Sequence, residues 1–360
     1  MPLPANYGGV IDVFYKLKNL NEAGLKIHLH CYQYGRAEVL ELEKYCTKVS
    51  YYQRKSGLMY QFSQLPYIVR TRDSKELINN LLSEDAPILF EGLHTCAFLT
   101  HPALKGRLKI VRAHNIEHEY YAELAKRSHV FYKKAYYLLD SWRLKRYEKV
   151  LKHADHVLTI SEKDQFYFSK NYPSTLVMPF HGNDGVNSKL GKGDYILYHG
   201  NLMVPENSKI ALWILNNLCA HIDFQLVIAG KNPVSEILEL AKGKANITVI
   251  ANPSDQEMQK IISDAHVNFL FTEQSTGLKL KLLYALSQGR FCFCNTLMLA
   301  GTGIEKSVIE VEMDEVAKII EETKSCFERD FSENDLAERR DAMRIFDNKI
   351  GVERILNLLS

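Results

Sequence analysis

Lys279 and Lys281 stand just after Ser275-Thr276-Gly277. Ser275 and Thr276 are residue types that cap helix N-termini, and Gly277 lets a backbone or a ligand come close. Leu278, Leu282, Leu283, Ala285 and Leu286 then follow at helical spacing. The stretch predicts a loop and a helix closed at Gly289, where a left-handed residue is favoured. FCFCN after it reads as a short buried strand. The first turn of a helix attracts anions through its free N–H groups and its dipole. Two ammonium groups there would make a phosphate site; two lysines on a solvated face is the equally weighted alternative.

Other residues offer weaker chemistry. Gly8-Gly9 ahead of a helix is either a phosphate cradle or a tight turn. His114 follows the apolar run Lys109–Ala113, at what would be the carboxyl end of a strand, where parallel sheets bind ligands. Otherwise it is a hydrogen-bonded loop histidine. His118 has no such placement. Seven cysteines without a Cys-x-x-Cys pair give neither a disulfide framework nor a zinc ribbon. Cys292 and Cys294 read as core thiols, and no metal-ligand cluster is visible.

The elements that would position these residues alternate. Strands are predicted near 26–32, 49–52, 88–90, 109–113, 157–161 and 175–180. FHGNDGVNSKLGKGD, with four glycines, reads as a linker. The alternation restarts with strands at 195–199, 224–229, 247–251 and 267–271, and ends in helices at 314–328, 335–346 and 351–359. Two stretches interrupt the pattern. Residues 53–72 mix Leu58, Met59, Phe62 and Tyr67 with Arg54, Lys55, Arg70 and Arg72, and residues 131–154 repeat the basic-aromatic mixture. Such segments either lie on a membrane surface or pack on their domain with a solvated basic edge; for 53–72 the packed reading is preferred. The 360 residues suffice for two domains. The balance of 45 basic against 43 acidic residues excludes an ordinary nucleic-acid binder. No signal peptide and no apolar run near the ~20 residues of a membrane span is visible, and a reducing cytoplasm fits best.

The run Ser275–Ala285, STGLKLKLLYA, resembles the donor-site helix of retaining glycosyltransferases of the GT-B fold, family 4 in particular, where one branch carries GTGIKLKVLEA. The resemblance implies an α/β chain of two doubly wound Rossmann-like domains facing a cleft. An acceptor-side domain would span 1–182 and a linker 183–194. A nucleotide-sugar domain would span 195–334, with C-terminal helices at 335–360, the last crossing back. It implies transfer of a sugar from a nucleotide-diphosphate sugar to a glycan or lipid-linked acceptor, with no metal and no cofactor beyond the sugar nucleotide as substrate. Peripheral membrane contact fits that acceptor; nucleic acid does not enter.

Carried onto this chain, the family's catalytic positions are His114, Lys279 and Lys281. Donor contacts fall on Gly8, Gly9, Gly200, Asn201, Gly230, Asn252, Pro253, Thr276, Gly277 and Tyr284. The sequence departs from the family at Tyr284, where Glu usually binds the ribose, at Thr276, where other branches have an earlier Glu, and at Asn201 and Asn207, where many members have Arg and Lys. Two rival classes share the fold expectation: a sugar-nucleotide 2-epimerase and a non-catalytic nucleotide-sugar-binding partner subunit. Domains of this type also open with a central apolar strand ahead of the Gly8-Gly9 loop. MPLPANY has two prolines and cannot supply it. The expectation is a natural start upstream of Met1, or an N-domain rearranged around a missing first strand.

Overall fold

The structure, a computed structural model, describes residues 1–5, 8–35, 37–183, 185–273 and 280–359. The chain divides into two compact units, Met1–Gly182 with Asn348–Ser360, and Asn183–Asp347.

In the first unit the strands form two separate parallel sheets. One pairs β1 (His28–Gln33) with β2 (Lys48–Gln53). The other runs in the order β3 (Ile88–Glu91), β4 (Lys109–Ala113), β5 (His156–Thr159), β6 (Ser174–Leu176). Among the described residues no ladder joins β1 to β3, so the first half does lack a continuous sheet. The apolar residues of β4 and β5 are buried, as strands covered on both faces require.

The helix Gly8–Glu22 packs against this sheet through charge as well as apolar surface. Asp12 and Lys16, one turn apart, are both buried. The Asp12 carboxylate accepts two 2.9 Å hydrogen bonds from Arg112 on β4 and one of 2.7 Å from the Phe180 N–H. The closing helix Asn348–Leu359 puts Val352 and Ile355 into the core that holds Leu20, Leu158, Val177 and Phe180.

A sequence expectation shifts here. Gly8 and Gly9 are the first residues of the helix, exposed, and not a loop ahead of it. Between β1 and β2 lies a 3-10 turn, Leu40–Lys44. The 53–72 segment holds a 3-10 turn, Leu58–Gln61, and a four-residue helix, Tyr67–Arg70. Pro66 precedes that second piece and biases its predecessor away from helix.

The second unit holds one six-stranded parallel sheet. Its order is β12 (Ile309–Glu310), β11 (Phe291–Cys294), β10 (Val267–Leu270), β7 (Tyr195–Asn201), β8 (Gln225–Lys231), β9 (Ile247–Ala251). The order turns back between β7 and β10, and ligands in such sheets bind beyond the carboxyl ends of the strands at this point. The helix Leu280–Gln288 buries Leu282, Leu283, Ala285 and Leu286 on the sheet, the stripe read from the sequence.

Candidate functional site

In the first unit the chemistry gathers where β3 and β4 end. Glu91 closes β3, and His114 follows β4 directly. His114 Nε2 lies 3.0 Å from Glu91 Oε2, and its Nδ1 lies 3.7 Å from Asp12 Oδ2. Lys16 Nζ sits 2.5 Å from the other Glu91 oxygen. Burial alone would raise the Glu91 carboxyl. The Lys16 ammonium and the His114 hydrogen bond outweigh it and hold the group down at about 2. Burial likewise opposes ionisation of Asp12, but Arg112, Lys16 and His114 keep it well below the usual carboxylate range. Two ionised carboxylates therefore flank the His114 ring and fix its orientation.

Gly92 sits between this pair and a second histidine. Its φ of +84° suits glycine, and a Cβ there would lie 2.7 Å from the His94 ring and 3.7 Å from the His114 ring. Burial holds His94 well below the ordinary imidazole value, helped by Arg72, His114 and Arg54. Glu117 opens the next helix, Glu117–Arg127, and burial pushes it up to about 7 against the pull of His114 and Arg72.

In the second unit β7 and β8 end in facing glycines, Gly200 opposite Gly230. A Cβ on Gly230 would fall 1.8 Å from the Gly200 carbonyl oxygen, so the two strand ends can meet only because Gly230 has none. Gly200 and Asn201 are strand residues. Asn201 Oδ1 accepts from the Met203 N–H at 3.2 Å, and its carbonyl accepts from Asn207 Nδ2 at 3.0 Å. The two asparagines thus bind the strand end to the helix Pro205–Asn217. Asn252, at φ +54°, ties the β8 and β9 loops together: its N–H donates to Gly230 O and its Oδ1 accepts from the Asn232 N–H, both at 2.9 Å. Pro253 follows it in the same loop.

Thr276, Gly277 and Lys279 lie outside the described residues, as does Ser275. Up to Glu273 the loop before them is pinned. Glu206 Oε1 accepts from Thr272 Oγ1 at 2.5 Å and from the Glu273 N–H at 2.8 Å. Asn295 holds the Thr272 backbone through both its amide atoms. Lys281 does not project into open solvent: its ammonium donates to the Phe271 carbonyl at 3.0 Å. Burial lowers it to about 8, against the attraction of Glu206. Tyr284 is half-buried in the same helix. His199, on β7 before Gly200, is buried, and its Nε2 has no hydrogen-bond partner among the described residues. Burial, then Lys281, holds it neutral, near 3.

Sequence reasoning singled out His114 and Lys281 but passed over Asp12, Lys16, Glu91, Glu206 and His199 as site-builders. A signal existed for some of them. Arg112 interrupts an apolar strand, and Asp12 and Lys16 interrupt the apolar face of a helix at one-turn spacing.

A separate surface lies on the helix Phe131–Tyr147. Phe131 is 86 % exposed and Trp142 55 %, and in the neighbouring turn Phe62 is 90 % and Leu58 81 % exposed. Arg143 donates to the Gln61 carbonyl at 2.8 Å and Asp140 accepts from the Tyr67 N–H at 3.1 Å, which sets the two segments side by side. Lys133, Lys134, Lys145 and Arg146 lie on the same helix, the last stacked over Trp142 at 4.7 Å.

No protein-family model matches the chain. An uncharacterized 44.6 kDa protein in the cps region of Klebsiella pneumoniae is 29 % identical over 325 residues, covering 84 % of this chain and 82 % of that protein. Among solved structures, a glycosyltransferase from Rickettsia africae ESF-5 matches with a TM-score of 0.64 at 13 % identity, over 98 % of this chain and 94 % of that one. A UDP-forming α,α-trehalose-phosphate synthase from Burkholderia xenovorans, in complex with glucose-6-phosphate, matches at 0.59 and 10 % identity, over 99 % and 96 %. Arabidopsis thaliana UGT89C1, complexed with UDP-L-rhamnose, matches at 0.55 and 11 %, over 98 % and 96 %. The fold is the GT-B glycosyltransferase fold. Among the described residues no helix is long and apolar enough to cross a membrane, and no three metal-ligating side chains cluster.

Proposed function

We propose that this chain is a glycosyltransferase. It moves a sugar from a nucleotide-diphosphate sugar to an acceptor hydroxyl, with retention at the anomeric carbon, in glycan or polysaccharide assembly. The observation that carries the reading is the match of nearly the whole chain to solved glycosyltransferases. The UDP-forming activity and UDP-sugar named for two of those proteins, and the cps-region relative, support the donor class and the pathway.

In this reading the acceptor oxygen bonds to the anomeric carbon as the bond to the diphosphate breaks, and the acceptor proton passes to the leaving phosphate. Lys281, with Lys279 and the N–H groups near Thr276 and Gly277, takes the charge that develops on that phosphate. Gly200, Gly230 and the Asn252-Pro253 loop line the nucleotide, with Tyr284 at the ribose. His114, held by Glu91 and Asp12, orients the sugar or the acceptor. The basic-aromatic helix face sits on anionic lipid and brings a lipid-linked acceptor within reach on the cytoplasmic side. The sugar nucleotide is a substrate, and no cofactor or metal is required.

Melting-temperature shifts across a panel of nucleoside diphosphates, then transfer assays with NMR of the product anomer, test this. A shift with at least one diphosphate, EDTA-insensitive transfer and a retained anomer are expected. Epimerised nucleotide-sugar formed without acceptor would give the reaction to an isomerase. Diphosphate binding without transfer to any acceptor would leave a binding subunit.

A further inference from the structure

Two arginines that act on His94, Arg54 and Arg72, have no ion-pair partner among the described residues. Arg54 and Arg72 are joined through Thr71: Arg54 Nε donates to Thr71 Oγ1 at 3.1 Å, and the Lys55 N–H donates to the Thr71 carbonyl at 3.0 Å. The turn carrying Arg72 follows the helix Tyr67–Arg70, which packs on the 3-10 segment Leu93–Phe98 that begins at His94's neighbour. Arg72 spends one N–H on the Ile68 carbonyl, at 2.6 Å. Arg54 stacks over the Tyr34 ring at 4.5 Å. Among the described residues neither guanidinium has a carboxylate within 4.0 Å, and neither has its remaining N–H groups taken by protein acceptors.

The charges around them do not cancel. The inner carboxylates are committed, Asp12 to Arg112 and Glu91 to Lys16 and His114. Glu117 is a carboxyl acting on Arg72, and its burial favours the neutral acid. Burial, and then Arg54, lowers Arg72 to about 10, the direction expected for a cation awaiting a counter-charge. Two planar forks with free N–H groups match an oxyanion better than any other ligand.

We propose that Arg54, Arg72, His94 and His114 form an oxyanion site at the carboxyl ends of β3 and β4, and that it takes the phosphate or carboxylate of an anionic acceptor sugar. Anion binding stands on the first unit alone; the word acceptor rests on the glycosyltransferase reading. The two guanidiniums grip the anion, and the histidine rings, already fixed by Gly92 and Glu91, line the adjoining sugar.

The test titrates the full chain with inorganic phosphate, a hexose phosphate, a hexuronate and a neutral hexose, following the ring signals of His94 and His114 by NMR. H94Q assigns them. Phosphate should shift both rings. R72M should weaken its binding about tenfold or more, the loss of one charge-assisted contact; R72K should restore part of it, and K260M, at an exposed position of the second unit's helix Asp255–Asp264, should leave it unchanged. The hexose phosphate or the hexuronate should bind more tightly than inorganic phosphate, and the tighter of the two names the anion. Equal binding by R72M and the wild type, or a neutral hexose binding as well as the anions, would overturn the site. If no nucleotide-sugar is ever turned over but the ring shifts persist, the glycosyltransferase reading fails and the oxyanion site remains.

Discussion

Glu91 holds His114 through one carboxylate oxygen, at 3.0 Å, and Lys16 through the other, at 2.5 Å. Glu91→Ala should therefore destabilise the chain by about 3–5 kcal/mol, because it strands a buried ammonium. Lys16→Met in the same chain should recover much of that loss. Urea denaturation of the two single variants and the double variant measures it, and strictly additive losses would show that the pair is not coupled.

The same carboxylate sets an acid limit. Its folded value, about 2, lies below the ordinary 4.5. The stabilisation is then full above about 4.5 and is lost as pH falls toward 2, up to about 3 kcal/mol. Glu117 has the opposite sign. Raised to about 7, it contributes most below 4.5 and loses its contribution as pH rises through 7. Its surroundings are His114, Arg72 and the phenols of Tyr120 and Tyr121. E117Q should raise stability at pH 8 by about 1–3 kcal/mol and leave it nearly unchanged at pH 4. Denaturant midpoints against pH for both proteins test the two slopes, and an E117Q curve parallel to wild type would refute the second.

Lys281 predicts how diphosphate binding follows pH. Its ammonium titrates near 8, so affinity for a nucleoside diphosphate should fall as pH rises above about 8. K281A should lose about tenfold or more at pH 7, with little change for the nucleoside. Calorimetry from pH 6.5 to 9 decides it. A pH-independent affinity would mean that the ammonium serves only the Phe271 carbonyl.

Gly230 predicts a structural failure. Gly230→Ala puts a methyl against the Gly200 carbonyl, and backbone cannot yield as a side-chain tip does. A loss of about 3 kcal/mol is expected, with thermal unfolding as the readout. An unchanged melting temperature would show that the strand ends can part freely.

The exposed aromatics predict lipid binding. Phe62, Phe131 and Trp142 flank basic residues worth about 1 kcal/mol each near anionic lipid. Co-sedimentation with anionic vesicles should be strong at low salt and should fall in F62S/F131S/W142S. Equal pelleting with neutral vesicles would leave the face a solvated edge.

Where one signal dominated, sequence and structure agree closely. The predicted strands 109–113 and 247–251 match their observed bounds, since a short apolar run between polar turns admits few alternatives. The last strand of the first unit shrinks to Ser174–Leu176, with Pro173 and Pro179 limiting it at both ends. His114 was legible from its place after a strand. The network that fixes it is less so: Asp12 and Lys16 stand out on the apolar face of their helix, but spacing alone does not name their partners, Arg112 and Glu91. In the sequence Arg54 and Arg72 mark only a basic edge, since periodicity says nothing about a turn that folds back through Thr71. Ser275 to Lys279, most of the glycine-lysine motif, lie outside the described residues.

The closing helix joins the first unit, yet the whole second unit separates it from the rest of that unit along the chain. Val352 and Ile355 thus reach Leu158 and Val177 only after everything between them has been made. During synthesis the second unit can reach its final packing while Leu158 and Val177 still lack the cover of Val352 and Ile355. A nascent chain halted before residue 348 should bind hydrophobic dyes, so that Leu158 and Val177 are sealed only by residues made long after them.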